Sequence, residues 1–181
     1  FVTLAHSILE MSACVITTPY GKIFHTGDWK LDEQPVIGKP STAEQLTAIG
    51  DEGVLALVCD STNAFNADDS GSEGSVKADL LKSVKAAKGR VLLTTFASNA
   101  ARLQTMGEVA RESGRTLCFA GRSLHRIIDA AQANGYLKDM PDMIDMESVD
   151  GYARNQVMIV ATGGQGEARA ALARIADGSH P

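Results

Sequence analysis

The sequence predicts an α/β protein with a strand-rich front and, behind it, a mainly parallel sheet with flanking helices. Two observations carry this reading. Short apolar, β-branched runs crowd the first 60 residues, and beyond a polar break apolar strands alternate with helical stretches of about a dozen residues.

Ala13 to Thr18 and Lys22 to His25 are two such runs separated by Pro19-Tyr20-Gly21, which predicts a hairpin. A connection containing Pro35, Gly38 and Pro40 follows. Val54 to Cys59 then reads as a fully apolar strand ending at Asp60. The polar stretch Asn66 to Ser75 is the predicted boundary between a first domain, 1–68, and a second, 75–181. In the second domain the pattern predicts helix Val76 to Lys88, strand Arg90 to Thr95, helix Asn99 to Ser113, strand Thr116 to Phe119 and helix Leu124 to Asn134. Strand Gln156 to Ala161 and helix Glu167 to Ala176 complete it, after a less regular stretch around Met143 to Tyr152. Leu103, Met106, Val109 and Ala110 recur at helical spacing and read as core.

The 181 residues are 44% hydrophobic, 22% charged and 5% aromatic, enough for one or two domains with a sizeable core. No stretch reaches the roughly 20 apolar residues of a membrane span. Phe1-Val2-Thr3-Leu4-Ala5 reads as the middle of a strand, without the basic lead of a signal segment, so truncation at the front is expected. Cys14, Cys59 and Cys118 stand singly in apolar runs; they read as small buried hydrophobes in a reducing, cytoplasmic setting. The net charge of −5 does not advertise nucleic-acid binding. Yet all the arginines, from Arg90 to Arg174, lie in the second half, which favours a local phosphate-facing surface there.

Ligands of parallel sheets bind beyond the carboxyl ends of the strands. There the predicted strands run into Phe96-Ala97-Ser98-Asn99, Gly121-Arg122-Ser123 and Thr162-Gly163-Gly164-Gln165-Gly166-Glu167, each opening a helix. Free N–H groups, hydroxyls and helix dipoles at such places suit an anion. For any single loop, Ser98, Asn99 and Ser123 as N-caps and the glycines as turn formers are the simpler account. Three loops on one edge, one with an arginine that can grip phosphate oxygens in two places, favour an anion-binding rim, and capping can coexist with it.

In the first domain His6 and Asp28 each follow a strand-like run, and an imidazole with a carboxylate suits zinc or manganese. Alone, Asp28 reads as a turn former and His6 as unremarkable. His25 competes as a ligand, although its place within the strand favours a packed or supporting role. Asp60 can cap the turn that follows it or serve as an acid or ligand orienter beside a metal. His125 and His180 have no visible partner and read as structural or surface residues.

Ala5-His6-Ser7-Ile8, Thr18-Pro19-Tyr20-Gly21, His25-Thr26-Gly27-Asp28-Trp29-Lys30, Cys59-Asp60-Ser61-Thr62-Asn63-Ala64, Phe96-Ala97-Ser98-Asn99, Gly121-Arg122-Ser123 and Thr162-Gly163-Gly164-Gln165-Gly166-Glu167 occur in this order nearly end to end. The ordered set resembles the ribonuclease J family, in the β-CASP branch of the metallo-β-lactamase superfamily. The resemblance implies part of a metallo-β-lactamase αββα sandwich followed by a β-CASP domain. It implies that His6 is a zinc ligand, that Asp28 bridges two zinc ions, and that Asp60 is the acidic residue of the first β-CASP motif at the active-site edge. It further implies that Ser98, Asn99, Arg122, Ser123, Thr162, Gly163 and Gln165 lie in loops facing an RNA path. The implied activity is metal-dependent hydrolysis of RNA phosphodiesters, from a 5′-monophosphate end and internally, with zinc, or manganese or magnesium in its place. The implied parent is a cytoplasmic homo-oligomer.

The chain departs from the family pattern. The family's His-x-His-x-Asp-His cluster is expected before Phe1 and its later histidine motifs after Pro181, and Gly164 and Ala168 stand where serine and proline are expected. Two ligands do not hold a dinuclear site, so the chain alone is expected to be inactive. Two other readings are an RNA-binding or structural module without catalysis and a related hydrolase acting on DNA or a small ester.

Overall fold

The computed structural model describes residues 1–68 and 71–180, in two units, Phe1–Ser75 and Val76–Pro181. The predicted break at Asn66 to Ser75 includes positions 69 and 70, which lie outside the described residues, as does Pro181 at the end of the predicted second domain.

In the first unit β1 (Val2–Thr3), β2 (Ser12–Thr18), β3 (Gly21–His25) and β4 (Ala56–Val58) form one sheet in chain order. The β2–β3 hairpin is antiparallel, with Thr18 opposite Gly21 across Pro19-Tyr20, and β4 adds parallel to β3. The Thr18 hydroxyl fastens the turn by donating to the Gly21 carbonyl at 2.8 Å. Helix α1 (Ala43–Asp51), capped by the Thr42 hydroxyl, was hidden in the Pro- and Gly-containing connection. Its Leu46 and Ile49 pack against the buried Leu4, Ala13 and Phe24.

The apolar run at Val54 to Cys59 yields only three strand residues, all exposed. Among the described residues it pairs with β3 alone, and that pairing stops where β3 stops, at His25 opposite Val58. Cys59 is likewise exposed and Cys14 half-buried, so of the three cysteines only Cys118 is the buried hydrophobe expected. His25, for which a packed or supporting role is expected, is exposed rather than packed, and its Nδ1 accepts from the Gly27 amide at 3.1 Å.

Asp32, which nothing in the sequence singles out, closes the first unit. Its buried carboxylate accepts from the Gln34 and Glu73 amides at 3.0 and 3.1 Å and from the Ser72 hydroxyl at 2.6 Å, and it pairs with Lys30 at 3.0 Å. Residues separated by some forty positions are thus held on one side chain.

The second unit begins with α2 (Val76–Ala86) and continues through β5 (Val91–Thr94), α3 (Ala100–Ser113), β6 (Thr116–Ala120), α4 (Arg122–Ala133), β7 (Met143–Ile144), β8 (Val157–Ala161) and α5 (Ala171–Ala176). The sheet order is β5-β8-β6-β7, entirely parallel. All five residues of β8 are buried, as befits a central parallel strand, at about 1.5–3 kcal/mol for each large apolar side chain removed from water. Leu103, Met106, Val109 and Ala110 of α3 are buried as predicted. The stretch before β8 folds as 3-10 turns over Met146–Gly151 and Arg154–Gln156. Helix α5 is shorter than predicted, because residues 167–170 form turns and the Thr162 carbonyl and hydroxyl receive the amides that open the helix.

Arg115, at the start of β6, is buried without a carboxylate partner. Its guanidinium donates to the carbonyls of Val84, Ala87, Gly89 and Val157 at 3.3, 2.6, 2.9 and 3.3 Å. Val84 and Ala87 lie at the carboxyl end of α2, where the helix dipole favours a cation.

Replacing Arg115 with Met leaves several of these carbonyls unsatisfied, and a loss of roughly 2–4 kcal/mol is expected in urea unfolding; a loss below about 1 kcal/mol would mean that water substitutes for the guanidinium. Burial alone would raise the Asp32 carboxyl, but the bonds from Ser72, Glu73, Lys30 and Gln34 hold it at about 2 against an ordinary 3.8. The folded value lies below the unfolded one, so its contribution of about 2 kcal/mol is complete above about pH 4 and is lost as pH falls through about 2. Unfolding midpoints of Asp32→Asn measured down that range should fall less steeply than those of the unaltered chain; parallel curves would count against the carboxylate.

Candidate functional site

The carboxyl ends of β6 and β8 adjoin, with Ala120 paired to Ala161, and each strand gives way at once to a turn and a helix. A cavity of about 660 Å³ opens there. Arg122 and Arg126 from α4, Arg169 from the turn before α5 and Arg174 from α5 line it, with His125, Asp145, Glu147 and Thr162.

The first turns of α4 shape one wall. The helix begins at Arg122 behind Gly121, so Ser123 is a residue of the helix rather than its N-cap, and no side chain caps it. Gly121 has φ +133°, and a Cβ there would lie 3.0 Å from the Thr162 hydroxyl oxygen. Only glycine lets β6 turn into the helix this close to β8.

Arg122 and Arg126 stand one turn apart on one face, at the helix end where the dipole is positive and with no acidic residue in the first turn. Like charges at this spacing repel, and cations at an N-terminus oppose the dipole. Neither arginine has an ion pair or side-chain hydrogen bond among the described residues, and the same holds for Arg169; Arg174 donates to the Ser179 carbonyl at 3.3 Å. This cationic wall lowers the local stability of the helix. A bound anion would relieve it.

Of the loop residues singled out in the sequence, Arg122, Ser123 and Thr162 meet at this cavity. Thr162 also anchors α5, its hydroxyl accepting the Ala171 amide at 3.3 Å. Ser98, Asn99, Gly163 and Gln165 lie outside the cavity lining, at the ends of the paired strands β5 and β8. Asn99 is an N-cap, its side-chain oxygen accepting the Arg102 amide at 2.8 Å, and Ser98 is exposed beside it. Gly163, at φ +121°, is buried where a Cβ would lie 2.8 Å from that of Leu172, and the exposed Gln165 donates its amide to Glu167 at 3.0 Å.

No motif in the sequence marks Asp145 or Glu147, and His125, read there as structural or surface, lines the cavity. The spacing of Arg122 and Arg126 was the available signal for the cavity. His125 reaches the Phe119 carbonyl with Nε2 at 3.1 Å.

In the first unit the Thr26 amide donates to Val58 at 2.9 Å and its hydroxyl accepts the Asp60 amide at 3.2 Å, which ties the turn leading to Asp28 to the end of β4. The Asp60 carboxylate accepts from the Thr62 hydroxyl and amide at 2.7 and 2.9 Å. These bonds, with a smaller contribution from His6, hold it below the usual carboxylate range. His6 is half-buried with Nδ1 3.5 Å from the Ser7 hydroxyl, and Asp28 is exposed. A second cavity, about 530 Å³, is lined by Trp29, Lys30, Cys59 and Asp60 but by neither His6 nor Asp28. Among the described residues no three histidine, cysteine, aspartate or glutamate side chains stand close enough to hold a metal. The donor set present therefore does not fit a zinc pair.

The family model described as "Ribonuclease J, beta-CASP domain" matches residues 88–181, more than half of the chain. The chain belongs to the ribonuclease J family. Among its relatives, Ribonuclease J of Sinorhizobium meliloti is 42% identical across 97% of the chain and 31% of the relative. Ribonuclease J of Corynebacterium glutamicum is 42% identical across 99% and 25%, and Ribonuclease J 1 of Streptococcus pyogenes 41% across 99% and 32%. The chain thus spans between a quarter and a third of the length of these curated relatives. The α/β architecture with its parallel sheet agrees with a ribonuclease J β-CASP domain. No helix among the described residues is long and apolar enough to cross a membrane.

In this ribonuclease J family chain, Gly121→Ala should cost about 1–3 kcal/mol through backbone strain and the clash with Thr162, measured by thermal unfolding. An unchanged melting curve would show that the turn relaxes freely.

Proposed function

We propose that the chain is part of a metal-dependent ribonuclease that hydrolyses RNA phosphodiesters, and that its second unit holds phosphate groups of the RNA in the arginine-lined cavity. The carrying observation is Arg122 and Arg126, set against the dipole of α4 with no ion pair to either among the described residues. Guanidinium groups grip phosphate oxygens in two places, and four around one cavity can distinguish a terminal monophosphate, with its additional charge, from a hydroxyl end. Family membership and the relatives' printed names support RNA as the substrate. On this reading the activity runs from a 5′-monophosphate end and also internally, in a cytoplasmic homo-oligomer; unpaired cysteines accord with that compartment.

His6 and Asp28 are the proposed metal ligands and Asp28 and Asp60 the proposed catalytic residues. With the donors present, we infer that zinc, or manganese or magnesium, is held only with further ligands, and that this chain alone neither retains two zinc ions nor cleaves RNA. An RNA-binding module without catalysis is favoured for the isolated chain by the Asp60 carboxylate, which is engaged in its own turn. Full activity of the longer protein after Asp28→Ala would extend that reading to the parent.

Short RNA carrying a 5′-monophosphate should bind more tightly than the same RNA with a 5′-hydroxyl. Arg122→Ala with Arg126→Ala should remove the difference and lower the salt slope by about 1.4, as expected for two phosphate contacts on a single strand. Equal affinities in the unaltered chain would overturn the terminal-phosphate reading. After zinc loading and dialysis, metal analysis should find fewer than two ions per chain; two retained ions, or metal-dependent cleavage, would overturn the inference of incompleteness.

A further inference from the structure

The arginine-lined cavity contains two carboxylates that a phosphate pocket does not need. Asp145 and Glu147 face it together with Arg122, Arg126, Arg169 and Arg174, yet no carboxylate–guanidinium ion pair forms between the two sets. Asp145 occupies the N-cap position of the Met146–Gly151 turn, where an aspartate ordinarily accepts a backbone N–H, and its side chain makes no such bond. Glu147 likewise has no hydrogen-bond partner among the described residues. Acceptors and donors thus line one cavity, and of these six side chains only Arg174 has a hydrogen-bond partner among the described residues, the Ser179 carbonyl. A ligand of phosphate alone would be repelled by the acceptors, so the lining suits a molecule that carries an anion and a hydrogen-bond donor edge.

Among nucleotides, guanine has the matching edges. Its N1–H and 2-amino group point the same way and suit a carboxylate, while O6 and N7 are the acceptor pair that a guanidinium fork fits. Cytosine and adenine each offer a single exocyclic amine to a carboxylate, and uracil offers one N–H between two carbonyls. The volume of about 660 Å³ falls within the range of about 300–1,000 Å³ usual for small-molecule sites. We propose that this cavity binds a guanine nucleotide of single-stranded RNA, its phosphate and O6/N7 edge on the arginines and its N1–H and 2-amino group on Asp145 and Glu147. The inference rests on the phosphate-binding reading of the same cavity and adds base preference to it.

The probes are the 5′-monophosphates of guanosine, inosine, adenosine, cytidine and uridine, titrated calorimetrically against the full chain at fixed salt. Inosine monophosphate lacks only the 2-amino group. Guanosine monophosphate should bind about tenfold more tightly than inosine monophosphate, the expected effect of one hydrogen bond to a charged group. Asp145→Asn with Glu147→Gln should weaken guanosine monophosphate more than inosine monophosphate, which keeps the N1–H but not the 2-amino group, and so narrow that gap; an unchanged gap would overturn the assignment of the 2-amino group to these carboxylates. Both side chains are exposed, so the folded state should persist, with circular dichroism as the check. Equal binding of all five nucleotides would overturn the guanine preference and leave the phosphate reading standing. Binding of none would overturn both.

Discussion

The second unit is organised around one buried guanidinium. A parallel sheet must bring the amino ends of its strands together, although each arrives from a different part of the chain. Arg115, itself just before β6, does this by donating to carbonyls at the starts of β5 and β8 and at the carboxyl end of α2. With the strand starts fixed and the register set by pairs such as Leu117 with Met158, the opposite ends are fixed too. The geometry of the cavity at the carboxyl edge therefore depends on an arginine at the far edge of the sheet.

The first unit relies on a charge in a comparable way. Asp32 gathers amides, a hydroxyl and an ammonium from both sides of a long excursion through α1 and β4. A single buried acceptor with four donors is stable because every donor would otherwise need water, and the carboxylate is adequately compensated for its loss of solvent.

What was legible in the sequence followed local consistency. β8 and α3 were read almost to the residue, because apolar content and period agree with their burial and because Asn99 and Gly114 mark the ends of α3. α1 was missed because only Leu46 and Ile49 face the sheet, too few to register as a helical period. The β4 run gave an exposed edge where a buried strand was expected, since apolar composition does not report how many neighbours a strand has. The cavity was half legible. Arg122, Ser123 and Thr162 were found from strand-end logic, whereas Asp145 and Glu147 come from an irregular segment that has no period to read. The buried roles of Arg115 and Asp32 had no local signal at all, because their partners are remote in sequence.

The placement of Arg122 and Arg126 links occupancy to folding. A helix that begins with two cations lacking an ion pair among the described residues is under electrostatic load when empty, and any anion seated between them discharges it, so free energy spent in the empty state returns as affinity. Acidic replacements along the first turn of α4 would yield a sturdier helix and a poorer binder. This is the trade between robustness and activity that keeps natural proteins short of their stability optimum.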